Sequence, residues 1–304
     1  MSKRGWILFL SLGLLWGMPY LLIRIAVGEI DPLVVAGSRT VLGSLLLLPL
    51  ALHRSALAPA FRQWKWLLAF TLIEISLPWW MLGHAETRLN SSTAGLLIAV
   101  VPLFAALIVT KLGHEKLEPR RLFGLVLGFA GVALLVGLDI HFDDLGAVAA
   151  TILVSLCYAI GPIIIDRKLK DVPAIGVITG SLILATLVYL PFAPFLLPEK
   201  VSLAAVSSVA GLGVLCTAAA FIVFFALIAE VGPARATVIT YVNPAVAIVL
   251  GALVLKEPLT LGMAVGFPLV ILGSFLGTMK APVVQGTGGQ RFNDGCAGVT
   301  KASP

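Results

Sequence analysis

The sequence predicts an all-α integral membrane protein of ten transmembrane helices, arranged as two inverted five-helix repeats around a central cavity. Of its 304 residues, 59% are hydrophobic and only 12% are charged, about half the charge expected of a soluble domain. Apolar stretches of about 20 residues, long enough to cross a hydrocarbon core of ~30 Å, recur along the chain. In addition, the second half of the sequence repeats the first. Together these observations favour a duplicated membrane domain.

Ten apolar windows are the candidate transmembrane helices. The first follows Lys3 and Arg4 and is long enough to span, so we interpret it as a retained helix and not as a signal peptide. Prolines stand near several window boundaries, where they suit the first turn of a helix. The Gly-rich, polar residues 281–304 are predicted to form a disordered cytoplasmic tail. The windows lie near 5–27, 32–52, 66–86, 91–112, 119–138, 144–165, 173–197, 206–229, 234–255 and 259–279.

The positive charges indicate the orientation of the chain. If the N-terminus is cytoplasmic, 16 of the 21 Lys and Arg residues lie on the cytoplasmic side. Because positive residues collect on that side of a membrane, the sequence predicts a multi-pass protein of the cell inner (cytoplasmic) membrane with both termini inside. The net charge of +6 is spread over short loops, a pattern that argues against nucleic-acid binding.

An internal repeat divides the chain. A shift of 142 positions aligns Ala94 with Ala236, Pro102 with Pro244, Glu115 with Glu257 and Gly131 with Gly273. We therefore expect residues 1–139 to form the first five-helix repeat and residues 140–280 the second. Five crossings are an odd number, so the second copy enters the membrane from the opposite face, and a substrate site is expected between the copies. The repeated glutamates are expected to cap the helices that follow them.

Long stretches of the sequence carry a family resemblance. They read LLWGMPYLLIRIA in segment one, DPLVVAGSRTVLGSLLLLPLAL in segment two, and LIAEVGPARATVITYVNPAVAIVLGALVLKEPLTLGMAVGFPLVILGSFLGT near the end. Over about residues 5–280 the chain resembles the EamA-type members of the drug/metabolite transporter superfamily. The resemblance implies a basket with a central cavity formed mainly by segments one, three, four, six, eight and nine. It also implies export of amino acids or other metabolites, and the aromatic-rich segment three resembles that of amino-acid exporters, including exporters of aromatic ones.

Two charged residues lie well inside predicted spans. Glu74 falls in segment three and Arg39 in segment two. Each would cost about 2.5–3.5 kcal/mol if it faced lipid at the centre of the membrane, so each should face the protein interior or a partner. Glu74 is a candidate for proton coupling or for binding a substrate amine. The alternative is a structural role, either an ion pair with Arg39 or a hydrogen bond to nearby backbone, and the functional and structural interpretations both remain open at this point.

Aromatic and polar residues near the middle of the spans complete the predicted site. On an ideal helix, segment three presents a semi-polar stripe toward the cavity. Prolines within spans remove an N–H and free a carbonyl, so they mark places where helices can bend. The predicted cavity residues are Trp16, Tyr20, Glu74, Pro78, Trp79, Trp80, His84, Tyr158, Tyr241 and Asn243, and the predicted hinges are Pro19, Pro102, Pro162 and Pro244.

The sequence contains no nucleotide-binding loop of the GxxxxGK[ST] type, which favours a secondary transporter over a pump. A membrane-embedded enzyme or lipid-handling protein is the alternative, although no HExxH motif or Cys/His ligand spacing is present. A channel is disfavoured because there is no filter-like loop. We therefore predict no catalytic residues, no metal and no cofactor. The expected partners are a small-molecule substrate and the lipid bilayer, with the protein a monomer or a weak homodimer.

Overall fold

The chain folds into a bundle of apolar helices. A computed structural model describes residues 2–111, 119–139, 141–232 and 236–278, and within these residues it contains helices and turns but no strand. Among the described residues, seven helices are long and apolar enough to cross a membrane, and three shorter apolar helices lie at Ala174–Tyr189, Ile239–Val254 and Leu261–Leu276. Helices α1 to α10 are Lys3–Ala26, Pro32–His53, Trp64–Glu86, Ser91–Lys111, Pro119–Asp139, Leu145–Ile164, Ala174–Tyr189, Leu203–Val231, Asn243–Val254 and Leu261–Thr278.

These helices coincide with the ten predicted windows, and the all-α membrane prediction is confirmed. Helix α7 is shorter than predicted, because it was expected to run to residue 197 and ends at Tyr189. Pro191 and Pro194 follow, and the chain makes only a short helix, Ala193–Leu196, before α8. Ser202 starts α8 by accepting a hydrogen bond from the Ala205 N–H. The predicted tail at 281–304 lies outside the described residues.

The outer surface of the bundle is apolar, as a lipid environment requires. Phe123 of α5 is 60% exposed and Leu253 of α9 is 71% exposed. Many other Leu, Val and Phe side chains are equally accessible along the helices. Exposed apolar surface on this scale is unfavourable in water and favourable against acyl chains. The bundle therefore matches the solvent that its composition predicts.

Irregular turns occur at four corresponding places in the two halves, and a further π-helical turn, Ile165–Leu169, follows α6. Helix α3 contains a π-helical turn at Thr71–Ser76, and α8 contains one at Val214–Ala219. Helix α4 is interrupted at residues 99–100, while a 3-10 turn, Thr237–Tyr241, precedes α9. Interruptions of this kind free backbone groups inside the bundle, where side chains or a solute can bind them.

Packing joins the two halves along their whole length. Helices α5 and α10 lie against each other, α2 packs on α7, and α1 packs on α8 and α9. A Cβ at Gly131 would press on the backbone of Gly266, so α5 and α10 approach as closely as their glycines allow. Ser2 and Arg4 contact Glu230 at one end of the bundle, named here the Ser2 end. Glu86 lies at the opposite end, named the Glu86 end.

Candidate functional site

Arg39 lies buried at the centre of the bundle, between the two halves. Its side chain is only 8% exposed, its Nε donates a hydrogen bond of 2.8 Å to the Thr217 hydroxyl, and its guanidinium lies 3.7 Å from the centre of a Trp79 ring. Helix α2 supplies the arginine, α3 the tryptophan and α8 the threonine. A planar guanidinium can stack on an aromatic face while its amino groups remain able to bind an anion.

Three of the four tyrosines in the chain surround Arg39. Tyr20 comes from α1 and Tyr158 from α6, and both were predicted to line the cavity. Tyr189, from α7, was not predicted, and its hydroxyl donates a 2.5 Å hydrogen bond to the carbonyl of Ser76 in the π-helical turn. The rarity of tyrosine in this chain is the sequence signal that could have found it. Thr217 was also missed, because nothing local distinguishes it from other small polar residues.

Glu74 lies in the π-helical turn of α3 and faces α6. Its Oε2 is buried and has no hydrogen-bond partner, and a Cβ added at Gly161 would overlap its carboxylate. Gly161 therefore makes room for the carboxylate beside Pro162. Tyr158 is a near neighbour of both Glu74 and Arg39. The site thus holds a carboxylate and a guanidinium that share one tyrosine as a neighbour.

The ion pair considered for Glu74 and Arg39 is wrong. Ion pairs closer than 4.0 Å join Arg4 to Glu230 and Arg88 to Asp144, whereas Glu74 and Arg39, both within the described residues, form none with each other. Arg39 instead uses Trp79 and Thr217, whereas Glu74 points toward α6. Each charge is held by a different neighbouring helix, so each keeps its capacity for a ligand of opposite sign.

Two residues of α3 that were predicted to line the cavity lie outside the buried site. A π-helical turn holds one more residue than an α-helical turn, so it rotates the following helix relative to the preceding one. Pro78 has no N–H for the carbonyl four residues earlier, which accounts for the position of the π-helical turn. In this turn the Leu77 N–H donates to the carbonyl of Leu72, five residues earlier. Trp80 and His84 consequently lie exposed, with ring centroids 6.3 Å apart, and are not part of the buried site. Pro78 is buried, next to Trp79.

The other predicted cavity residues lie away from Arg39 and its neighbours Trp79, Thr217 and the three tyrosines. Trp16 packs against Phe224 of α8, with ring centroids 4.8 Å apart, between α1 and α8. The Tyr241 hydroxyl donates a 3.2 Å hydrogen bond to the Ser274 carbonyl and so faces α10. Asn243 begins α9, and its Oδ1 is buried without a partner. Of these three residues, only Asn243 keeps an unused polar atom inside the bundle.

The four predicted hinge prolines occupy two kinds of position. Pro19 and Pro162 lie inside α1 and α6. Pro102 and Pro244 are each the second residue of a helix that restarts after an interruption, at Val101 in α4 and at the beginning of α9. A proline in the first turn has no N–H to leave unpaired, so these two stabilise the restart. Their role as moving hinges remains a prediction.

Carboxylates close the Glu86 end of the bundle. Glu257 accepts four hydrogen bonds of 2.5–3.1 Å from the backbone N–H groups and hydroxyls of Ser91 and Ser92. It therefore caps α4, in the other half, and not the following helix as expected. Asp139 caps the start of α10 instead, accepting hydrogen bonds from the Thr260 hydroxyl and from the Gly262 N–H.

An open cavity of about 570 Å³ lies at the Glu86 end. It is lined by Arg24, Val27, Gly28, Thr87, Asn90, Leu255 and Glu257.

Comparisons with known proteins agree with this architecture. The model of the EamA-like transporter family matches residues 3–137 and again residues 145–279. The uncharacterized inner membrane transporter YedA of Escherichia coli (strain K12) is 32% identical over 292 residues, covering 90% of this chain and 94% of its own length. The uncharacterized transporter YvbV of Bacillus subtilis (strain 168) is 27% identical over 289 residues, covering 92% of this chain and 93% of its own. A solved structure titled "Crystal structure of protein" has a similar fold, with a TM-score of 0.66, 18% identity, and coverage of 91% of this chain and 98% of that one.

Proposed function

The chain belongs to the EamA-like transporter family, and from that premise we propose that it is a secondary transporter that exports amino acids, those with apolar or aromatic side chains first among them. It is a multi-pass membrane protein of a transporter family. The Ser2 end faces the cytoplasm in this proposal, because 16 of the 21 Lys and Arg residues then lie inside. The two halves alternate access by rocking around the central site.

One observation carries the choice of substrate: a buried guanidinium and a buried carboxylate that do not pair with each other. Arg39 retains the donors of its amino groups, and Glu74 retains an acceptor, Oε2. A zwitterionic amino acid carries a carboxylate that can bind Arg39 and an ammonium that can bind Glu74. The side chain of the solute would then lie against the aromatic rings of Trp79 and Tyr158.

The decisive experiment is counterflow in liposomes that contain the purified full-length protein and no ATP. Vesicles loaded with unlabelled L-phenylalanine or L-leucine should take up the labelled form in a saturable manner. Phenethylamine, which lacks the carboxylate, and 3-phenylpropionate, which lacks the ammonium, should each compete at least about ten-fold more weakly than L-phenylalanine. Equal competition by either analogue would contradict the zwitterion site. Turnover of a lipid or a peptide without any solute exchange would favour the membrane-enzyme alternative.

A further inference from the structure

A second buried carboxylate on α3 has no assigned role. Glu86 is the last residue of the helix, its side chain is 0% exposed, and neither of its carboxylate oxygens has a hydrogen-bond partner. A charged carboxylate without donors is strongly disfavoured inside a protein. Neither the family match nor the central site accounts for a carboxylate in this position.

The groups that face Glu86 from the neighbouring helices leave it no donor. Arg24 of α1 donates to the backbone carbonyl of Glu86 and not to its carboxylate. Glu257 approaches from the loop before α10, but its oxygens are occupied by Ser91 and Ser92. Tyr20 of α1 is the remaining titratable neighbour.

More distant charges near this end are also engaged. At the start of α2, Asp31 accepts a hydrogen bond of 2.8 Å from Leu33 N–H. Beyond the end of α3, Arg88 pairs with Asp144, at the start of α6, at 3.9 Å. None of these three side chains is therefore available to Glu86. Because both carboxylate oxygens are buried without a donor, a proton is the ligand that fits.

We propose that Glu86 carries a proton in this conformation and is the site at which the transporter takes up protons from the solution at the Glu86 end. This inference rests on the proposed function, to which it adds the proton as the coupling ion. The cavity of about 570 Å³ is lined by Arg24 and by Thr87, the residue that follows Glu86, so water reaches the immediate surroundings of the carboxyl group. Separation of α1 from α3 would expose the carboxyl group of Glu86 to this water.

The proton balance is simple. When the Glu86 end opens, the carboxylic acid of Glu86 releases H⁺ to water. The resulting carboxylate pairs with the guanidinium of Arg24, which already donates to the backbone carbonyl of Glu86. Uptake reverses this step. Tyr20 neighbours Glu86 as well as Tyr158, and Tyr158 neighbours Glu74. These hydroxyls lie between the two carboxyl groups of α3 and give a path by which a proton can reach Glu74 and compete there with the ammonium of the solute.

Infrared spectroscopy of the full-length protein in lipid nanodiscs tests the protonation directly, without any solute. At neutral pH the wild-type protein should show the C=O stretch of a protonated carboxyl group that Glu86→Gln lacks. Asp143→Asn, which removes an exposed acid at the same end, should leave that band unchanged. Glu86→Asp should shift the band and not abolish it, which keeps the test valid if the Gln variant misfolds. An identical carboxyl region in wild type and Glu86→Gln would overturn the proposal.

Transport measurements test the coupling. In liposomes with a pH gradient, the ratio of gradient-driven accumulation of L-phenylalanine to its counterflow at equal pH should fall about ten-fold in Glu86→Gln. An unchanged ratio would refute coupling through Glu86. Absence of counterflow in the wild-type protein would instead refute the proposed function, and the infrared result would still decide whether Glu86 holds a proton.

Discussion

The Glu86 end and the centre of the bundle both bury charged side chains, but they differ in whether neighbouring groups satisfy the hydrogen-bonding capacity of those side chains. At the Glu86 end, Glu257 and Asp139 are satisfied by the starts of helices that belong to the opposite half. At the centre, Arg39 and Glu74 each retain hydrogen-bonding capacity that no neighbour uses. A charge that the fold satisfies stabilises the fold, whereas one left unsatisfied is available to a ligand. Glu86 follows the second pattern although it lies in the first region.

The largest expected effect is on stability, at the Glu86 end. Glu257→Ala would leave the N–H groups at the start of α4 without acceptors inside the protein, because Ser91 and Ser92 are fully buried. We expect a loss of about 3 kcal/mol in the free energy of unfolding. Thermal unfolding in detergent should show a midpoint several degrees lower, with Asp143→Asn as the control. An unchanged midpoint would mean that the four hydrogen bonds of Glu257 do not hold the halves together.

The next effect is on solute binding, at the centre. Arg39→Lys keeps the positive charge but loses the planar contact with Trp79 and the geometry of the bond to Thr217. We expect the affinity for L-phenylalanine in counterflow to fall on the order of 30-fold. Arg88→Lys, at an exposed pair with Asp144, is the matched control and should bind as wild type does. Equal affinities for the two variants would remove Arg39 from the solute site.

A glycine substitution separates the position of Glu74 from its charge. In Gly161→Ala the new methyl group would displace the Glu74 carboxylate, which we expect to lower the affinity for L-phenylalanine about ten-fold. Competition by 3-phenylpropionate, which has no ammonium, should change less. Gly146→Ala is the control on the same helix, because a Cβ there meets nothing within 4 Å. A similar loss for both competitors would indicate a general packing defect.

The smallest effect concerns pH and the loops at the Glu86 end. Hydrogen bonds from Ser202 lower the pKa of Glu29 below its usual value. The bond from the Ser202 hydroxyl has the larger effect, and the bond from its backbone N–H has the smaller one. The contact therefore contributes fully to the free energy of unfolding at pH values above the usual carboxyl pKa. This contribution is lost as the pH falls through the lowered pKa of Glu29. Unfolding midpoints of wild type and Glu29→Gln should differ slightly at neutral pH and converge in acid. Because Glu29 is exposed, salt should reduce the difference. A difference that grows in acid would reverse this assignment.

Sequence reasoning located the residues of the central site better than it located their partners. Arg39, Glu74, Tyr20, Trp79 and Tyr158 were identified because charges and aromatic rings stand out within apolar spans. His84 was misplaced because an ideal 100° periodicity does not anticipate a π-helical turn, and Trp80, predicted beside the same stripe, is also exposed. Tyr241 and Trp16 contact α10 and α8 instead of Arg39, because the position of a residue along a span does not specify which neighbouring helix it contacts.

The sequence by itself determined the solvent, the helical segments and the duplication, because these depend on local hydropathy, on proline and on matches at a constant offset. Only the tertiary structure decided which charges are satisfied. Arg39 meets Thr217 across 178 positions, and Glu257 meets Ser91 across 166. Such partners are chosen by the packing of helices and by the rotation that a single irregular turn imposes. No local pattern encodes that choice, because the energy of a buried charge depends on every helix around it.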